Sequence, residues 1–212
     1  MILITQVRPY RRTKLFEVYS ETGLEFLANE KFLLDFSIRP YAEYSEEEFE
    51  PIRARALLLD GIRKAVDILS RKDYSKKELL RKLKEKGIPE EAAIGAVCYM
   101  EQRGYQDDYR YAKRLAELGK QSYGRARVEQ MLYHHGIERD TVREVLEEVF
   151  QNDEDEHEKI DRIFASAARG KDLTDPAARN KVYAKLVRLG YSSSAVSAAF
   201  SRYKSAGKDE LD

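Results

Sequence analysis

One pattern recurs three times along this chain of 212 residues, and it narrows the possible folds more than any other feature. Tyr74 is followed by Leu79, Leu83, Gly87 and Ile88. At a shift of 49 residues come Tyr123, Val128, Leu132, Gly136 and Ile137, and 54 residues further on Ala177, Val182, Leu186, Gly190 and Tyr191. The five extra residues of the last interval fit the loop around GKDLT. Past each glycine the register continues in Ala93, Ala96, Val97 and Met100, in Val142, Val145, Leu146 and Val149, and in Val196, Ala199, Phe200 and Tyr203. Spacings of three and four place these side chains on one stripe of a helix. Upstream, Ile62, Val66 and Leu69 match Tyr111, Leu115 and Leu118, with Ile160, Phe164 and Ala167 in the third copy. Each copy is expected to be three helices.

The punctuation has a physical cause. Gly87, Gly136 and Gly190 follow an amphipathic stretch by one position, where a left-handed residue without a Cβ closes the last turn at least cost. Ser75 with Glu78 three residues later predicts a capping box, and Asp107 and Asp108 suit the start of the next helix. A three-helix unit of this size has little core of its own, so stacking on its neighbours should supply part of its stability.

The first third reads differently. ILITQV, LFEVYS and LEFLA are β-branched and aromatic, with Glu21-Thr22-Gly23 as the turn joining the second and third. After Ile38-Arg39-Pro40, Ser45 and Glu48 form a second capping-box pattern, and Pro51 is expected to kink or restart the helix that follows. The expected architecture is mainly α: three tandem three-helix repeats in an open, elongated array behind a small N-terminal β-hairpin subdomain. Its expected parts are an N-terminal β-rich extension over 1–44, repeat one with a lead-in helix over 45–108, repeat two over 109–152, and repeat three with a tail over 153–212.

Composition bears on compartment and partner. The single Cys98 excludes an intrachain disulfide and a thiolate zinc site and fits a reducing environment. The start MILITQVRPYRRTKLF runs from apolar to basic, the reverse of a secretory leader, and no apolar run reaches membrane-spanning length. A cytoplasmic protein without membrane contact is expected. Lys and Arg (38) balance Asp and Glu (38), so net charge names no partner, but the distribution is uneven. Residues 71–86 carry eight basic and three acidic side chains and 170–208 eight and two, whereas 138–161 carries eleven acids and three bases, and 43–50 five acids. Separate positive and negative faces would orient the molecule on a charged partner.

The residues resemble the RecX family, whose members are built from tandem three-helix repeats. Two stretches carry the resemblance. One runs from Tyr74-Ser75-Lys76-Lys77-Glu78-Leu79 to Leu83-Lys84-Glu85-Lys86-Gly87-Ile88, then Gly104-Tyr105-Gln106-Asp107-Asp108 and Tyr111-Ala112; the other runs from Tyr123-Gly124-Arg125-Ala126-Arg127-Val128 to Leu132 and Gly136-Ile137. Gln106 stands where the family usually has an apolar residue, Arg125 where proline is common and Ala126 where a basic residue is common. The resemblance implies a regulator that binds the groove of the RecA–single-stranded DNA filament. It would modulate ATP hydrolysis, strand exchange and co-protease activity in recombination, DNA repair and the SOS response. Inhibition is the expected direction, although some relatives assist filament turnover. The alternative is a helical-repeat protein that binds single- or double-stranded DNA without a recombinase.

The candidate contact residues are the bases of the second helix in each repeat: Lys76, Lys77, Arg81, Lys82, Lys84 and Lys86, then Arg125 and Arg127, then Arg179, Lys181, Lys185 and Arg188. A solvated lysine-rich face is the plain alternative, and recurrence in three repeats is what argues against it. Most of the fourteen tyrosines read as core or cap residues, Tyr111, Tyr203, Tyr74 and Tyr123 among them, while Tyr105 and Tyr133 are freer to touch a base. Asp107 and Asp108 read as caps, and His134-His135 has the wrong spacing for two metal ligands on one helix face. His157 lies in the acidic NDEDEHE stretch, a solvated connector or helix start. Cys98, beside Val97, reads as a buried or inert thiol. No GxxxxGK[ST], no GxGxxG after a strand and no GxSxG is present, so neither autonomous ATP hydrolysis nor a cofactor or metal is expected. A monomeric regulator rather than an enzyme is the expectation.

Overall fold

A computed structural model of the chain describes residues 1–151 and 153–209, and the side chains of 1–151 and 157–204. It begins in strands: β1 (Ile2–Pro9), β2 (Leu15–Ser20), β3 (Gly23–Asn29) and the short β4 (Glu43–Tyr44) form one antiparallel sheet in the order β3-β2-β1-β4. The expected hairpin, β2 with β3, is therefore one side of a larger sheet in which β3 is an edge strand. Alternation along the strands turns Ile4, Val18, Phe26 and Ala28 to one face, where Phe32 and Leu33 of a helix that the sequence reading passed over, α1 (Glu30–Asp35), complete the core with Phe49, Ile52 and Ala56. Phe26 lies 6.0 Å from both Phe32 and Phe49, ring to ring.

Phe49, Ile52 and Ala56 belong to α2 (Glu46–Leu69), which starts with the predicted capping box: Ser45 Oγ accepts from Glu48 N at 3.2 Å and Ser45 N donates to the Glu48 carboxylate at 2.9 Å. The helix runs through Pro51 without the restart that is one of the two expectations there. The proline sits on the exposed side in the second turn, where the one backbone hydrogen bond it removes faces solvent. One helix of 24 residues thus serves as both the lead-in and the first helix of repeat one, its first half against the sheet and its second half against α3 (Lys76–Glu85) and α4 (Glu90–Gln102). The chain divides into two compact units, Met1–Asp107 and Asp108–Asp212.

In the first unit α2 and α4 approach closely because small residues meet: a Cβ on Gly61 would stand 3.1 Å from Ala96 Cβ and 3.2 Å from the Ala92 carbonyl. Leu79, Leu83, Ile88, Val97 and Met100 fill the rest of that core. In the second unit α5 (Asp108–Lys120), α6 (Arg125–His134) and α7 (Arg139–Val149) enclose Ala112, Ala116, Val128, Leu132, Val142, Val145 and Leu146. There α8 (Asp153–Ala168), α9 (Pro176–Arg188) and α10 (Ser193–Asp209) enclose Ile160, Phe164, Val182, Leu186, Val196 and Ala199. Full burial of such a side chain is worth about 1.5–3 kcal/mol, which makes these stripes the main stabilising feature of each three-helix set. Gly87, Gly136 and Gly190 have φ of +78°, +79° and +93°, as their cap positions require.

The upstream register is a correction. Val66 and Leu118 are 50% and 60% exposed. The buried positions that recur in the first helices are Gly61, Ala65 and Ile68, then Ala112, Ala116 and Gly119, then Ile160, Phe164 and Ala167; the expected Tyr111 and the expected third triplet are buried. The recurring triplets lie 51 and then 48 residues apart, where the expected ones lie 49 apart at both steps. The loop between first and second helices differs in length from repeat to repeat, so the shift measured on the second and third helices does not carry across it. Cys98 is a second correction: Val97 takes the inward place, and one residue further round the helix the thiol is exposed. Gln106, in the family's apolar place, is 3% exposed. Asn152 and the tail residues 210–212 lie outside the described residues. Among the described residues no helix is long and apolar enough to cross a membrane.

Candidate nucleic-acid interface

The second helix of each repeat buries two apolar side chains one turn apart. On α3 these are Leu79 and Leu83, on α6 Val128 and Leu132, on α9 Val182 and Leu186. Three residues before the first of each pair stands a base: Lys76, Arg125 and Arg179. This is the one strictly equivalent cationic position, and in every repeat it reaches the third helix of its own set. Lys76 Nζ pairs with Glu101 of α4 at 2.8 Å, Arg125 Nη1 donates to the Leu146 carbonyl of α7 at 3.2 Å, and the Arg179 guanidinium lies 5.3 Å from the Phe200 ring of α10. Recurrence there has a structural cause: each base ties its second helix to its third.

The remaining candidates form stripes. On α3, Lys77, Arg81 and Lys84 follow one another at four and three residues on the exposed face. Arg81 pairs with Glu85 and Lys84 with Glu90 at 2.9 Å, both exposed pairs of small energetic weight. Lys82 turns back over the Tyr74 ring at 4.6 Å, with Lys72 5.5 Å from the same ring. Beside them a shallow cleft of about 300 Å³ is lined by Asp67, Arg71, Tyr74, Lys82, Glu85 and Lys86, a mixture of both signs. On α9, Lys181, Lys185 and Arg188 repeat the four-and-three spacing, all exposed, and none of them makes an ion pair among the described residues.

This α9 stripe runs into α6. The Gly124 N–H donates to the Leu189 carbonyl at 2.9 Å and the Ala126 N–H to the Gly190 carbonyl at 3.3 Å, so the open N-terminus of one helix receives the open C-terminus of another. The approach needs both glycines: a Cβ on Gly124 would fall 2.5 Å from the Gly190 carbonyl oxygen, and one on Gly190 would fall 2.5 Å from Arg127 Cβ. Repeat one has Ser75 where repeat two has Gly124, and there the serine caps α3 itself by accepting from Glu78 N. Sequence reading missed this junction, although the glycine in a cap position was its visible sign. The result is that Arg127, packed 6.0 Å from the Tyr123 ring, abuts the end of the helix that carries Arg188.

Packing accounts for some of the other side chains singled out and leaves others exposed. Tyr111 is buried and its hydroxyl meets His135 Nδ1 at 3.0 Å, while His134 and His157 are exposed. Tyr203, although partly exposed, stacks on Phe164 at 5.0 Å. Tyr105 and Tyr133 are exposed. Among the described residues no three His, Cys, Asp or Glu side chains are grouped as metal ligands.

Comparison with known proteins agrees with this architecture. Models of the first and second RecX three-helix domains match residues 62–100 and 107–146. The regulatory protein RecX of Stenotrophomonas maltophilia strain K279a is 32% identical over 133 residues, 61% of this chain and 78% of that protein. The chain belongs to the RecX family. A second RecX, from Caldanaerobacter subterraneus, is 27% identical over 155 residues, 73% of this chain and 79% of its own length. The fold is that of solved RecX structures. A crystal structure of regulatory protein RecX superposes with a TM-score of 0.69 at 19% identity, over 95% of this chain and all of that one. RecX from Lactobacillus salivarius gives 0.62 at 18% identity, over 69% of this chain and 96% of that one. This is a family of regulatory proteins by name, and the matched RecX domains hold the helices that carry Lys76 to Lys86, Arg125 and Arg127.

Proposed function

We propose that this RecX-family protein binds the RecA–single-stranded DNA filament and restrains its ATPase, strand-exchange and co-protease activities, as a cytoplasmic monomer without catalytic activity of its own. The recombinase enters this reading through the family resemblance. The cationic face that would meet the filament enters through one observation: the α9 stripe of Lys181, Lys185 and Arg188 has no acidic partner among the described residues and continues through the Gly124–Gly190 junction to Arg127. Unpaired bases in a row release counterions when they meet a row of phosphates. Lys77, Arg81 and Lys84 offer a second such row, with surface ion pairs that a polyanion can displace at little cost. In this reading Lys76, Arg125 and Arg179 act by holding their helices, and Lys82 and Lys86 border the Tyr74 cleft.

The test is the single-stranded-DNA-dependent ATPase of RecA with the protein titrated in. A falling rate at substoichiometric protein is expected; an unchanged rate at saturating protein, with no co-pelleting with filaments, would overturn the proposal. The same α9 stripe suits bare DNA, so fluorescence anisotropy on naked DNA belongs beside the ATPase assay. Tight, salt-sensitive binding without any effect on RecA would select the alternative of a recombinase-independent DNA-binding protein.

A further inference from the structure

The turn between β1 and β2 is the most concentrated cationic feature of the molecule outside the helical repeats, and the RecX domain matches do not reach it. From Arg8 to Lys14 the chain reads Arg-Pro-Tyr-Arg-Arg-Thr-Lys, four bases and no acid. Arg8 is engaged on the flank of the ribbon, donating to Glu17 at 2.6 Å and lying 4.6 Å from the Tyr19 ring. Arg11, Arg12 and Lys14 are exposed and make no ion pair among the described residues. Asn29 is paired with Leu15, so α1 begins at the same end of the sheet, and there Glu30 and Lys31 cancel each other.

The tip is built rather than loose. Tyr10 N donates to the Leu15 carbonyl at 2.8 Å, Thr13 Oγ1 donates to the Tyr10 carbonyl at 2.6 Å, and the same hydroxyl accepts from Leu15 N at 3.2 Å. Arg11 holds a left-handed φ of +50°, a conformation that glycine or asparagine would adopt at lower cost, and its guanidinium stands 5.1 Å from the Tyr10 ring. The turn that joins β1 to β2, at the end of the sheet packed on the Phe26–Phe49 core, therefore holds three cations that make no ion pair among the described residues.

We infer that the β1–β2 tip is a second polyanion site, which lies against duplex DNA with Arg11, Arg12 and Lys14 on backbone phosphates. A turn fixed by its own hydrogen bonds meets a row of phosphates with little ordering cost, and guanidinium forks fit phosphate oxygens in a bidentate way that a lone ammonium does not. An anionic membrane would also attract the charge. Insertion needs exposed apolar side chains, however, and the tip's one ring, Tyr10, is half-buried beside Arg11. The inference is independent of the filament reading, since it concerns naked duplex and different residues.

The experiment uses the full chain and the triple variant Arg11→Ala, Arg12→Ala, Lys14→Ala, in which alanine faces the same left-handed cost as the arginine it replaces, so the helical circular-dichroism signal is expected to stay as it is. Anisotropy on a duplex across a salt series should show binding weakened by about tenfold or more at low salt and a log–log slope reduced by roughly two to three, one increment per lost phosphate contact. A companion variant, Arg11→Lys with Arg12→Lys, should keep the slope while losing part of the affinity. Unchanged affinity and slope in the alanine variant would overturn the inference and leave the filament reading standing. So would a loss confined to pelleting with phosphatidylserine vesicles. A reduced slope in a protein that leaves RecA ATPase untouched would do the reverse, supporting the tip and removing the filament.

Discussion

Gly190 and Gly87 occupy the same place in their repeats and carry different burdens. Both have positive φ, so alanine at either costs about 1–2 kcal/mol in backbone strain. At Gly87 nothing lies within 4 Å of the added Cβ; at Gly190 the Cβ would collide with the Arg127 backbone and force α6 and α9 apart. Urea unfolding should therefore find Gly190→Ala more damaging than Gly87→Ala by roughly 1–3 kcal/mol, the usual cost of overpacking. Equal losses would mean that the junction yields freely and that Arg127 is not held against the end of α9. The sequence pattern marks both residues as cap glycines, and nothing in it separates the one that merely turns the chain from the one that also makes room.

Helices α5 and α7 are joined on their exposed side by a group of three: Glu148 accepts from Lys113 at 2.5 Å and from the Tyr109 hydroxyl. Lys113 first and Tyr109 second hold the Glu148 carboxyl below the ordinary carboxylate range. A carboxyl depressed in the folded state contributes stability above its unfolded value and loses that contribution as pH falls through the folded one. Melting temperature should accordingly fall on acidification from roughly pH 6 to pH 3, and Glu148→Gln should flatten that acid limb. An acid limb of the same steepness in the variant would assign the pH dependence to other carboxylates. The group joins residues nearly forty positions apart, and no periodicity in the sequence announces it, because a surface pair is fixed by how two helices cross and not by either helix alone.

At the scale of the molecule, charge is balanced in total and divided by role. Two triple variants separate the roles. Lys181→Ala, Lys185→Ala and Arg188→Ala should lower the salt slope of DNA or filament binding by roughly three while leaving the melting temperature nearly unchanged. Lys76→Ala, Arg125→Ala and Arg179→Ala, which cut the ties between second and third helices, should lower the melting temperature more and the slope less. If the two sets behave alike in both measurements, the division between free and structural cations is wrong. The repeat pattern, the cap glycines, the capping boxes at Ser45 and Ser75 and the strand-rich start were all legible in the sequence, because each rests on neighbours within a few residues. The first-helix register, the continuity of α2 through Pro51, the exposure of Cys98 and the Gly124–Gly190 contact were decided only in three dimensions. They depend on loop lengths, on which side of a helix meets solvent, and on backbone from one repeat filling space left open in another. Periodicity shows which side chains leave water, and only the packed structure shows which cations already have a partner when they do.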